Sequence, residues 1–207
     1  MKLKSLYVIV LLLATPISTT AQTDFNSHVD EGWITGNSYH SKEIGWSIQI
    51  PEGWQVTARN FLAAQDKKGK EAIEKSAGVQ IDMSSVTHLV AFQKSLYNSF
   101  ASTIEPFEEE YPGQNQEHSE NLYQMLWQTF TDNKMKFDTL LRTETIQGLE
   151  FNVFEINLYS PKGEIVLNQL IYNKLYKGYD FGVNINSNND FDKKVLLTAL
   201  RQSKFDK

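Results

Sequence analysis

The chain has 207 residues, 41% of them hydrophobic, with 12 Phe, 9 Tyr and 4 Trp and no cysteine. That size and apolar content suit one domain with a real core and argue against intrinsic disorder. A formal charge of −5 gives no electrostatic footprint for nucleic acid or an anionic membrane, and the lack of cysteine excludes disulfides, thiolate metal sites and a cysteine nucleophile.

Residues 1–21 read as a signal peptide. Lys2 and Lys4 form a basic start, residues 6–14 an apolar run, and Thr19-Thr20-Ala21 a small-residue cleavage site before Gln22. The apolar run is shorter than a bilayer span, so no stable membrane insertion is expected after cleavage. The expected location is the periplasm or the extracellular space. Residues 22–31 are polar and read as a flexible mature N-terminus. Asp24, Asn26, His28 and Asp30 alternate there but lack the glycine and distal glutamate of a cation loop, so no metal is expected.

Residues 32–39 read as a first strand, paired as a hairpin with residues 44–50. In the second strand Ile44, Trp46, Ile48 and Ile50 share one face, the period-two signature of a half-buried strand. Pro51 ends it, and Glu52-Gly53 turns the chain into Trp54 and Val56.

Residues 58–77 read as helical, with Phe61, Ala64, Lys68 and Ala72 on the inner side and a break at Gly69. Val79, Ile81 and Met83 alternate as a strand. Residues 86–92 are apolar on both parities, which suggests a strand covered on both faces, and residues 100–104 run back beside it. His88 shares the parity of Val90 and Phe92 and is expected to be mostly buried and satisfied.

Residues 105–120 read as an acidic loop. Its segment Phe107, Glu108, Glu109, Glu110, Tyr111 is the candidate protein-interaction site, because aromatics interleaved with carboxylates on a loop suit a protein partner. A helix is expected from Ser119 as N-cap, with Leu122, Leu126 and Phe130 inward. His118, between Glu117 and Glu120, is expected to lie at its solvated start.

Residues 140–146 and 149–158 read as a hairpin around Gln147-Gly148, with a parity change at Val153/Phe154 that implies a bulge or two covered faces. Residues 164–172 suit a central strand. Beyond Lys177-Gly178, Tyr179, Phe181, Val183 and Ile185 alternate with Asp180, Gly182 and Asn184. Residues 186–190 read as a capping cluster for a last helix with Phe191, Val195, Leu196, Ala199 and Leu200 inward, and residues 203–205 as a terminal edge strand.

Short connections predict a mainly antiparallel sheet. Strands apolar on both parities need helices on both faces. The expected class is therefore α+β: an α/β/α sandwich with a central, mainly antiparallel sheet.

The segment Gly32, Gly36-Asn37, Tyr39, then Ile44-Gly45-Trp46-Ser47-Ile48, Ile50-Pro51, Gly53-Trp54, resembles the opening of a Mog1/PsbP-like domain. Residues 146–154 and 179–205 resemble later parts of the same superfamily, in the same order. The resemblance covers most of the chain, so residues 32–207 are expected to be a single PsbP-like domain. It implies a non-enzymatic protein-binding or assembly role, with another exported or envelope protein as partner. No family site maps onto this chain residue by residue.

No G-x-S-x-G elbow, P-loop, H-E-x-x-H or dinucleotide fingerprint is present. No catalytic, cofactor or metal residue is therefore expected. Two other functions stay open. One is a small apolar-ligand carrier with a sheet–helix cavity lined by Trp46, Trp54, Trp127 and Tyr172. The other is an uncharacterised hydrolase.

Overall fold

The computed structural model describes residues 25–206 and the short strand Lys2–Lys4. Apart from Lys2–Lys4, the predicted signal peptide lies outside the described residues, and so do its cleavage point and Asp24. That strand, β1, pairs in parallel with β6 (Gln80–Asp82).

The molecule is a mixed α+β domain built on two antiparallel sheets. The first is a meander of β2 (Trp33–Thr35), β3 (Ser38–His40) and β4 (Trp46–Gln49), closed by the terminal β13 (Lys204–Phe205) against β4. The expected first strand is thus itself a hairpin, since Gly36 takes a positive φ of 58° and turns the chain at Asn37. Ile44, Trp46, Ile48 and Ile50 are all buried, as their alternation predicts. After Pro51 the chain changes sheets, and Trp54 leads into β5 (Gln55–Val56).

The second sheet has seven strands in the order β5, β7 (Thr87–Ser95), β8 (Asn98–Pro106), β12 (Tyr179–Ser187), β11 (Ile165–Tyr176), β10 (Leu149–Tyr159), β9 (Lys136–Ile146). Every neighbouring pair is antiparallel. Two hairpins turn on Gln147-Gly148 and Lys177-Gly178, where both residues of each pair have positive φ. Two-residue loops of that geometry match the twist of the strands they join.

Three helices complete the domain: α1 (Arg59–Ala77), α2 (Gln114–Asp132) and α3 (Asp190–Arg201). Two apolar clusters lie on opposite faces of the large sheet. In β11, Leu170 and Tyr172 join one cluster, and Ile171 joins the other. The first cluster is shared with the small sheet and α3; the second gathers Ile73 of α1 and Leu122, Leu126 and Phe130 of α2. The parity change in β10 follows from this. Phe151 and Val153 face the first cluster and Phe154 and Ile156 the second, while the register with β9 runs unbroken.

Several local expectations shift. Helix α1 is continuous through Gly69, and its buried side is Leu62, Gly69 and Ile73, displaced by one residue from the expected stripe. The reason is that Leu62, Gly69 and Ile73 keep to the spacings of one helical stripe, and Ile73 is the apolar residue the second cluster takes up. The acidic loop is short, because β8 runs to Pro106 and α2 starts at Gln114. Ser119 lies inside α2, buried, its hydroxyl donating to the Asn115 carbonyl at 2.9 Å. Phe191 is 71% exposed, since it lies off the buried stripe of α3, which runs through Asp192, Leu196, Ala199 and Leu200. Asn189 caps that helix as expected, its side chain accepting from the Asp192 amide at 2.8 Å. Residues 25–31, expected to be flexible, carry fixed contacts. Val29 is buried, Asp30 pairs with Arg59 at 2.8 Å, and the Asp30 amide donates to the His88 carbonyl.

Candidate functional site

The face of the large sheet beneath α2 is half apolar and half polar. The polar half is built by cross-strand register. Glu105 of β8 stands opposite Asp180 of β12, Gly182 opposite Asn173 of β11, and Asn173 opposite Asn152 of β10. Same-face neighbours in an antiparallel sheet are close enough to interact directly or on the diagonal. Asn173 Nδ2 donates to Asp180 Oδ1 at 3.0 Å, and Asn152 Nδ2 approaches Asn173 Oδ1 at 3.4 Å. Glu105, Asp180 and Asn173 are 4%, 2% and 0% exposed. Buried carboxylates are costly unless hydrogen-bonded. Ser85 Oγ donates to one Glu105 oxygen, and the other is buried without a hydrogen-bond partner.

Helix α2 closes this stripe with Asn115, Ser119 and Tyr123, which recur every four residues on one buried face. The Tyr123 ring stacks on Phe154 at 4.4 Å, at the border of the apolar half. Its hydroxyl is buried and lacks a hydrogen-bond partner. Burial, then the negative charges of Asp180 and Glu120, push its phenol well above the ordinary range.

Beside Tyr123 a groove of about 250 Å³ runs between α2 and the outer strands. Gln116, Glu120 and Tyr123 form its helix side, and Leu141, Thr143 and Asn152 its sheet side. Arg142 also borders it, but its guanidinium is held by Glu144 at 2.8 Å and lies 3.8 Å from Glu155. The groove adjoins β9, an 11-residue strand that pairs with β10 alone among the described residues. Leu140 and Leu141, on opposite faces of β9, are 56% and 58% exposed.

The predicted interaction segment falls at the start of α2. The Glu109 carboxylate accepts from the Asn115 amide at 3.0 Å, and the Glu110 amide donates to Gln114 Oε1 at 2.7 Å. Tyr111 donates from its hydroxyl to Glu117 Oε2 at 2.8 Å, and Glu108 is exposed. The Phe107 amide donates to the Gly178 carbonyl, and its half-buried ring lies 5.8 Å from His118. Much of this segment therefore orders the first turn of α2, whose free amides need acceptors.

The four aromatics of the expected ligand cavity do not converge. Trp46 and Tyr172 are fully buried in the first cluster with Trp54, and Trp127 is 46% exposed on α2. His88 sits as a partly buried residue, its Nε2 2.8 Å from Asp66 Oδ2 on α1. It does not follow Val90 and Phe92 into the first cluster, because one extra residue of β7 lies between the pairs His88↔Thr103 and Ala91↔Ala101. That bulge reverses the parity. Among the described residues no group of three or more His, Cys, Asp or Glu is arranged to hold a metal.

The polar stripe itself escapes sequence reasoning. Asp180 and Asn184 alternate with apolar residues, which is the pattern of a sheet face open to water. The available signal lies in the neighbouring strand. Asn173 closes a run apolar on both parities, so a polar residue there has to be buried and paired.

No family model matches the chain, and no curated protein does. Among solved structures, it is similar to the solution structure of cyanobacterial PsbP (CyanoP) from Synechocystis, with a TM-score of 0.53 and 10% identity. The match covers 82% of this chain and 91% of that one. On this likeness the chain carries a PsbP-like domain fold.

Proposed function

We propose that this chain is an exported, non-enzymatic protein-binding or assembly module of PsbP-like type, and that it meets its partner along β9 and the adjoining groove. The observation that carries the reading is the open edge. The outer edge of this 11-residue strand, unpaired among the described residues, presents backbone donors and acceptors to a second chain. Exposed Leu140 and Leu141 add apolar area on both sides of it. The opposite edge of the same sheet, β5, is only 2 residues long. The partner expected is another exported or envelope protein, and the α/β/α arrangement of the Mog1/PsbP-like resemblance is the scaffold for it.

The small-ligand reading has less support. The groove is smaller than the roughly 300 Å³ at which ligand pockets begin, and it is bordered mainly by polar side chains. Export rests on the N-terminal pattern of residues 1–21, and N-terminal sequencing of the mature protein is expected to begin at Gln22.

A photo-crosslinking residue placed at Thr139 tests the partner surface in the native envelope fraction. The same residue at Lys67, exposed on α1, is the control. A discrete adduct from Thr139 and none from Lys67 supports the reading. Equal labelling from both positions, or none from Thr139, removes it.

A further inference from the structure

We infer that the α2–β9 groove receives a basic side chain, Arg or Lys, from an extended partner segment that adds to β9 as a further strand. This deepens the proposed function and rests on it.

An added strand would lie about 4.8 Å outside β9, its side chains alternating between the two faces of the sheet. A residue in register with Thr143 would project on the α2 side, because Thr143 is paired with Asn152 and both border the groove. A long side chain from that position would pass over Thr143 toward Glu120. The groove is suited to a cation. Glu120 is exposed on its helix side, with one oxygen accepting from Gln116 at 2.9 Å. Buried behind it, Asp180 is reached from the groove through Asn152 and Asn173. Arg142 is already engaged by Glu144 and Glu155, so it offers little opposition. Tyr123 and Asn152 add polar atoms that a guanidinium or ammonium head needs as hydrogen-bond neighbours, and the buried Tyr123 hydroxyl has no hydrogen-bond partner. The acidic chain as a whole, at −5, favours the approach of a basic segment.

The probe is the capped peptide acetyl-Val-Thr-Arg-Thr-Val-amide, titrated into the isotope-labelled protein while backbone amide shifts are followed. Two analogues accompany it: citrulline in place of arginine, and N-methylation of alternate peptide amides. The arginine peptide is expected to shift amides within Lys136–Ile146 and at Glu120. The citrulline peptide is expected to bind about tenfold more weakly, the scale of one lost charge-assisted contact. N-methylation is expected to abolish binding, since it removes the strand pairing. Glu120→Gln should weaken the arginine peptide by a similar factor and leave the citrulline peptide unchanged. Equal binding of arginine and citrulline peptides, with N-methylation still abolishing it, overturns the basic pocket and leaves the β9 edge standing. Failure of every peptide to shift β9 at millimolar concentration overturns the edge and the pocket together. Self-association through β9, seen as concentration-dependent broadening of the same amides without peptide, overturns the heterologous partner.

Discussion

The two faces of the large sheet hide their side chains in different ways. On one face Trp46 stands at the centre of an aromatic cluster, 5.0 Å from Phe181, 6.0 Å from Tyr39 and 6.3 Å from Phe100. Its indole nitrogen donates to Ser203 Oγ at 2.9 Å, so even its polar atom is paired inside. On the other face Leu122, Leu126 and Phe130 of α2 cluster with Phe154 and Ile156, but Glu105, Asp180 and Asn173 are buried there as well. The first face is built around this apolar cluster, which fixes architecture. The second trades part of that packing for hydrogen bonds, and the groove lies where that exchange occurs. The face proposed for docking is thus the one where buried polarity lies next to an open edge.

Substitutions separate the two faces. Trp46→Ala should have the largest effect, about 4 kcal/mol of lost stability, from a large cavity and an orphaned Ser203 hydroxyl. Urea unfolding measures it, and a loss below about 1 kcal/mol would mean the aromatic face is not the main support. Asn173→Ala should follow, at about 2 kcal/mol, because it takes a hydrogen bond from a buried carboxylate. If Asn173→Ala were neutral, the polar stripe would be far wetter than its burial implies.

A smaller effect is expected from pH. Burial pushes the Glu144 carboxyl up, but hydrogen bonds from Arg201, Arg142 and Tyr172 outweigh it and hold the group at about 2, below the ordinary 4.5. A depressed carboxylate stabilises the folded state above its unfolded value and loses that contribution as pH falls toward the folded one. Stability should therefore drop between about pH 4.5 and 2, and Glu144→Gln should flatten that drop. Parallel curves for the two proteins would remove Glu144 from the account. The smallest effect belongs to Leu141→Thr, within about 0.5 kcal/mol, since the side chain is 58% exposed. A clear loss of stability there would show that β9 is packed against something and is not a free edge.

Much of the scaffold is legible in the chain. The alternation of Ile44, Trp46, Ile48 and Ile50 predicts β4 and its buried face. Gln147-Gly148 and Lys177-Gly178 predict their hairpins, and the Leu122, Leu126, Phe130 stripe predicts the inner side of α2. The candidate site is less legible. Phe107 to Tyr111 looks like an exposed acidic patch, and only the position of Gly113 as the N-cap turns part of it into capping for α2. Helix α1 is placed correctly in sequence but its inner face is shifted, because the apolar stripe of a mostly polar helix is narrow.

What the sequence determined by itself is punctuation and period: where strands alternate, where turns need positive φ, and where a helix carries one apolar stripe. These depend on neighbours within a few residues. What the tertiary structure decided is which strands lie side by side and what covers them. Strand β12 lies between β8 and β11, with residues distant in the chain joined by hydrogen bonds. That placement puts Asp180 opposite Glu105, both of them buried, and leaves β9 at the edge. An aspartate alternating with phenylalanine reads the same locally whether its face meets water or a helix. Only the long-range packing of α2 over the sheet distinguishes the two, so the polar stripe and its groove belong to the fold and not to any single segment.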